Sequence, residues 1–314
     1  MLHNCDTFHQ AYNTMPLAAL KPVKSLKGVR ILSLCLNLPG PAALLRLKLM
    51  GARCLKLEPP APVLAKPKVT GDPMSAYSAT AYTALHAGVR TRAVDLKTPA
   101  GQRLLQRELA KTDVLLTSFR PSALAKLGLS WKTLHALHPQ LSLVAIVGAP
   151  GTRAEAPGHD LTYLAENDLL TGLGLPATLY ADMTGALMAT EAVLQAALLQ
   201  KQKGKGHCFE VALSDAAAHL ALPRAWGLTL PGTMLGGGHA GYAVYPCKNG
   251  RVALAALEPH FSKRLCEVAG LRWTGVDMMM QAKTHRAIAG FVAPLTREAL
   301  DKLSSTYDLP LSTL

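Results

Sequence analysis

The chain has 314 residues, 49% hydrophobic and 17% charged, which is enough apolar material for one large or two smaller packed domains and excludes an intrinsically disordered protein. Thirty-three Lys and Arg against 20 Asp and Glu give a formal charge of +13, a balance suited to a polyanionic partner such as nucleic acid, an acidic membrane surface or a phosphorylated cofactor. No window approaches about 18 uninterrupted apolar residues, so no ordinary membrane span is expected, and 5% aromatics with no nucleic-acid motif argue against nucleic acid.

In chain order, residues 1–27 read as a loosely ordered lead-in, with polar residues over Met1–Thr14 where a signal peptide would be apolar; a cytoplasmic protein is expected. His3, Cys5 and His9 in this lead-in are possible metal ligands only in name, and no metal is expected. The six cysteines stand singly, with no CxxC, and Cys35 and Cys54 fall in strand-like runs where a small buried apolar side chain is the expected role.

Val29–Cys35 reads as a strand, Pro39-Gly40-Pro41 opens a helix over Ala42–Met50, and Arg53–Leu57 alternates as a second strand. Such a strand–helix–strand unit implies parallel pairing. Residues 58–78 read as a loop and Arg92–Leu96 as a strand. Thr98-Pro99 is then an N-cap with proline at the first helical position, with Leu105 and Leu109 on one face. A strand at Asp113–Thr117, helices near Ser122–Leu127 and Trp131–Leu137, and a buried-type strand at Leu141–Val147 follow. Beyond the loop at 149–157, Met183, Leu187, Leu194 and Leu198 share one face of a helix of about five turns. His207–Leu213 reads as a strand, 214–228 as helix, Pro231–Gly241 as a mobile glycine-rich stretch, and Tyr242–Leu257 as a hairpin turning at Lys248-Asn249-Gly250. The remainder reads as helical, with a polar end. The expected class is α/β, with a large Rossmann-like domain over 28–228 and a smaller α+β domain over 229–314.

Neither GxGxxG nor GxxxxGK[ST] occurs, so the two commonest phosphate loops are absent. Asn37–Pro41 nevertheless falls at a strand-to-helix crevice, where helix N–H groups could face a phosphate or pantetheine, or form an ordinary turn. Gly158-His159-Asp160 places an imidazole at a helix start, where the dipole favours its neutral form; the alternative is a solvated His159 beside a capping Asp160. Asp182 precedes the long helix, as a catalytic carboxylate or an N-cap. Glu258 closes an apolar strand, where a carboxylate needs a partner, or initiates a helix with Pro259. Gly236–Gly238 is a flexible flap or a linker.

Taken in order, these positions resemble the class III CoA-transferases (CaiB/BaiF type), a family that includes the α-methylacyl-CoA racemases. The markers are Gly28–Leu32 with Gly40-Pro41, Gly51-Ala52 leading to Lys56-Leu57-Glu58, Val94–Gly101, Asp113–Leu116 with Phe119-Arg120-Pro121, Lys126-Leu127-Gly128, and Tyr245–Gly250. The resemblance implies an interlocked, ring-like homodimer of two-domain subunits that bind coenzyme A as an acyl-CoA substrate. CoA contacts are expected at Leu38, Pro39, Gly40, Arg90, Phe119, Lys126, Val147 and Gly148, and catalysis at Asp182, His159 and Glu258.

The reaction the resemblance favours is epimerisation of a 2-substituted acyl-CoA, with His159, supported by Glu258, and Asp182 working on opposite faces of the α-carbon. The alternative is CoA transfer to a carboxylic acid through an anhydride at Asp182, with Gly236–Gly238 shielding it from water. A third reading is a homologue that binds CoA esters or a protein without turnover. It rests on Pro59 where relatives often have arginine, on a basic stretch reduced to Arg90, and on a chain that stops earlier than its relatives.

Overall fold

The computed structural model describes residues 23–65 and 69–314. The candidate ligands at His3, Cys5 and His9, and the lead-in up to residue 22, lie outside the described residues. The chain divides into two compact units, one ending at Leu220 and the other running from Ala221 to Leu314.

The first unit is built on strands β1 (Arg30–Ser33), β2 (Arg53–Glu58), β3 (Arg90–Ala93), β4 (Val114–Thr117), β5 (Ser142–Val147) and β6 (Cys208–Ala212). They form one sheet of order β3-β2-β1-β4-β5-β6, parallel throughout. The chain starts in the middle and winds outward in both directions, so a crevice opens between the ends of β1 and β4, where the order reverses. Side-chain alternation sends Ile31, Val114, Leu116, Val144 and Ile146 to one face, and Leu32, Leu115 and Leu143 to the other. Helices α1 (Pro39–Leu49) and α4 (Pro99–Leu109) lie in the first unit, as do α5 (Pro121–Lys126) and α6 (Trp131–Leu137). Leu44 and Leu47 of α1 join the first face; Leu105, Leu109, Leu124 and Leu134 join the second. The expected cap of α4 is present, Thr98 Oγ1 accepting from Gly101 N–H at 3.1 Å.

Several expectations need correction. Helix α1 begins at Pro39, three residues early, because proline has no N–H to lose in a first turn. The stretch read as loop at 58–78 contains α2 (Met74–Tyr77), followed by α3 (Ala79–Leu85), both too short for a periodic signal. The shared apolar face of the long helix α8 (Tyr180–Lys203) is mostly not its buried one: Met183, Leu187 and Leu198 are 42–56% exposed, and only Leu194 of the four packs against the core. Its buried face is Ala181, Gly185, Ala186, Ala189, Ala192, Val193, Ala196 and Ala197. Both stripes repeat at helical spacing, so periodicity could not choose between them. Small residues allow close packing, and a Cβ at Gly185 would overlap Leu213. Ala189→Leu is accordingly expected to cost about 1–3 kcal/mol in urea unfolding through overpacking.

The second unit is a three-stranded antiparallel sheet of β7 (Tyr242–Cys247), β8 (Gly250–Ala255) and β9 (Leu311–Thr313), in that order. Cys247 pairs with Gly250, so the hairpin turns on Lys248-Asn249. The polar end, read as part of a helical remainder, contributes β9, whose short run carries no pattern of its own. Val252, Leu254, Leu265, Ile288, Val292 and Leu300 form this unit's core, under helices α10 (Pro259–Val268), α11 (Ala282–Val292) and α12 (Arg297–Tyr307). Gly236–Gly238 is folded into a tight turn, with the N–H groups of Gly236 and Gly238 both donating to Thr233 O, and His285 Nε2 lies 2.8 Å from Gly238 O. Helix α9 (Leu213–Ala225) spans the division between the units.

Candidate active site

The crevice at the switch point holds a cavity of about 180 Å³. Leu36, Asn37 and Pro39 line it from beyond β1, Ser118 to Arg120 from beyond β4, and Ile146 to Gly148 from the end of β5. His159, Tyr163 and Asp182 line it as well. His159 is the N-cap of α7 (Asp160–Glu166), in extended conformation. Its backbone N–H donates to Thr162 Oγ1 at 3.1 Å, while Thr162 Oγ1 donates to His159 O, which fixes the corner and leaves the imidazole exposed.

Asp182 lies inside the first turn of α8, whose N-cap is Leu179, so its carboxylate does not serve as the cap. The capping acceptor comes from elsewhere: buried Asp160 accepts the Asp182 N–H through Oδ1 at 3.0 Å. The Asp182 carboxylate takes no hydrogen bond among the described residues and is free for a ligand. Burial, followed by repulsion from Asp160, pushes its pKa up to about 6, against the smaller opposing pull of His159. A carboxylate so shifted can take up and release a proton near neutral pH. Asp160→Asn removes the repulsion, so the acid limb of any Asp182-dependent rate should move to lower pH in a pH–rate profile.

Tyr163 had no role in the sequence reading. It is 5% exposed, and a Cβ at either Gly148 or Gly158 would press on its phenol ring. Its pKa is raised, chiefly by burial and then by the Asp182 charge. Two glycines 10 residues apart make room for one phenol, a signal visible only after folding.

The expected CoA contacts separate into groups. Pro39, Phe119, Val147 and Gly148 line the Asp182 cavity. Phe119 and Lys126 line a second cleft of about 650 Å³, with Leu57, Val94, Leu96 and Leu127 as its apolar wall and Lys97 as another cation. Phe119 is common to both. Leu38 is the N-cap of α1, and Gly40 is buried where a Cβ would overlap Cys35. The expected row of helix N–H groups is depleted, because Pro39 and Pro41 have none and Ala42 N–H bonds to Leu38 O at 2.9 Å. Arg90 opens the edge strand β3, is exposed, and lines neither cavity. Glu258 belongs to the second unit. It is the exposed N-cap of α10, beyond the end of β8 at Ala255, so it is not a buried carboxylate needing a partner. Cys35, beside the crevice, has its thiol pushed up to about 12 by burial and is inert.

The model of CoA-transferase family III matches residues 26–314. The chain is 28% identical to a succinate–glutarate CoA-transferase of Agrobacterium fabrum, over 78% of this chain and 66% of that one. It is also 28% identical to a human α-methylacyl-CoA racemase, over 79% of this chain and 65% of that one. The chain thus spans about two thirds of the length of these relatives. In fold it is similar to the crystal structure of Rv3272 from Mycobacterium tuberculosis, with a TM-score of 0.77 and 23% identity, covering 93% of this chain and 85% of that one.

Proposed function

This chain belongs to CoA-transferase family III, and from that premise we propose that it acts on acyl-CoA thioesters, epimerising the α-carbon of a 2-substituted acyl group. The observation that carries the reading is the cavity at the switch point, lined by both an imidazole and a carboxylate of raised pKa. The thioester carbonyl acidifies the α-proton. Asp182 would take it from one face while His159 returns a proton to the other, and the Tyr163 phenol could donate to the enolate oxygen. The wider cleft suits the other end of the ligand. Leu57, Val94, Leu96 and Leu127 offer an apolar slot for the adenine, Lys97 and Lys126 offer charge for phosphates, and Phe119 links the two cavities.

A second reading is favoured by the Asp182 carboxylate, which takes no hydrogen bond among the described residues. One oxygen attacks the thioester carbonyl, CoA thiolate departs, and a mixed anhydride forms; the thiolate then returns to the aspartyl carbonyl and releases the acyl acid. The acceptor acid completes the exchange. The racemase and transferase relatives are equally similar to this chain, so chemistry must separate them.

The test is incubation of a 2-methylacyl-CoA in deuterium oxide. Wash-in of one deuterium at the α-carbon with loss of chirality is expected. Hydroxylamine trapping of an acyl group on Asp182 without wash-in would favour the transferase. Neither signal, with CoA-dependent thermal stabilisation, would leave a binding protein.

A cytoplasmic homodimer is part of the proposal. The exposed apolar side chains of Met183, Leu187 and Leu198 on α8 support it, since a partner surface would cover them. Among the described residues no helix is long and apolar enough to cross a membrane.

A further inference from the structure

A second cluster of ionisable groups lies behind the crevice wall, and the reaction proposed above does not use it. Lys56 on β2 is fully buried. Its ammonium bonds Asp72, lies 2.8 Å from His86 Nε2 and forms an ion pair with Glu58 Oε2 at 3.1 Å, so its buried charge is compensated. Glu58, Asp72 and His86 form a group of the kind that could hold a metal ion, and here the Lys56 ammonium supplies the positive charge among them. His86 Nδ1 lies 2.6 Å from the Tyr82 carbonyl and must donate to it, which makes Nε2 the acceptor facing Lys56. Burial first, with the Lys56 charge also contributing, lowers the His86 pKa, in keeping with this neutral tautomer. Tyr82 Oη closes the network on Glu58 at 3.0 Å.

The network reaches the crevice through one atom. Asp72 Oδ1 accepts the N–H of Asn37 and the N–H of Met74, both at 2.9 Å, while Oδ2 is taken by Lys56. Asn37 sits in the cavity wall with φ +64°, a left-handed conformation that asparagine adopts more readily than most side chains but less readily than glycine. Among the described residues its Oδ1 is buried without a hydrogen-bond partner. Glu58, at the other side of the network, lines the wider cleft.

We propose that Asp72, clamped by Lys56, is a positioning residue that holds the Asn37 turn in place at the wall of the Asp182 cavity. Both carboxylate oxygens are needed. In Asp72→Asn the single amide oxygen is claimed by the Lys56 ammonium, which turns an NH₂ group towards the Asn37 N–H. The inference rests on the acyl-CoA reading above.

The experiment is steady-state kinetics with a 2-methylacyl-CoA on the full chain, for wild type, Asp72→Asn, Asn37→Gly and the double variant. Asp72→Asn should lower kcat about 10-fold or more with KM changed less than about 3-fold. In the Asn37→Gly background, where glycine takes the left-handed turn unaided, the same change should cost less than about 3-fold. Equal losses in both backgrounds, or an unchanged kcat in Asp72→Asn, would overturn the positioning role and leave the functional reading intact. An inactive wild type would instead sink the functional reading, and this inference with it. Should Asp72→Asn not fold, amide exchange in the wild type decides. The Asn37 N–H should exchange at least about 100-fold more slowly than a free amide, and unprotected exchange would refute the clamp.

Discussion

Asp182→Asn is expected to lower acyl-CoA turnover by at least about 10³-fold while making the protein more stable. The loss follows from either chemistry, because an amide can neither take the α-proton nor attack the thioester, and a missing nucleophile or base typically costs this much. The gain follows from the raised pKa. Burial and Asp160 disfavour the ionised carboxylate, so the folded state holds a proton more tightly than the unfolded chain does. That cost is fully present above pH 6 and disappears as pH falls through about 6 towards the ordinary value of 3.8. Discounted for the partial exposure of Asp182, it amounts to about 1–2 kcal/mol at pH 7, which the neutral amide would recover. Paired activity assays and urea melts at pH 7 and pH 4.5 check both halves. A variant that is inactive and also destabilised at pH 7 would show that Asp182 holds the fold together instead of being placed against it.

His159→Ala should divide the two reactions. Deuterium wash-in and epimerisation should fall about 10²- to 10⁴-fold, the usual worth of a positioned acid–base group. CoA transfer, which needs only Asp182 and the departing thiolate, should stay within about 5-fold. The side chain is exposed, and the corner around it is held by Thr162 and not by the imidazole, so the variant should fold. Equal loss of both activities would mean that His159 supports binding or polarises the carbonyl in both reactions. That result would remove the two-base assignment.

These expectations draw on features of unequal visibility in the sequence. The central strands of the first unit were legible because such strands in a parallel sheet are short, apolar and bounded by turn residues, whereas the exposed edge strand β3, expected at Arg92–Leu96, lies at Arg90–Ala93. Helix α4 was legible because its cap is local, with Thr98 three residues from the N–H it accepts. The hairpin at Lys248-Asn249 was legible for the same reason. Gly158-His159-Asp160 and Asp182 stood out as chemistry-bearing residues at helix starts, and one cavity contains both His159 and Asp182.

What the tertiary structure alone decided depends on groups far apart in sequence. The buried face of α8 was one such decision: alanine and leucine stripes share the helical period, and only the distance of closest approach selects the small residues. The partner of the Asp182 N–H is Asp160, 22 residues away, so neither the cap nor the repulsion on Asp182 had a local signature. Lys56, Asp72 and His86 are scattered over a strand, a loop and the end of a short helix, so no local pattern joins them. Local hydrogen bonding and periodicity write themselves into neighbouring residues. Burial of charge does not, because its energy depends on which distant groups the fold brings within a few ångströms.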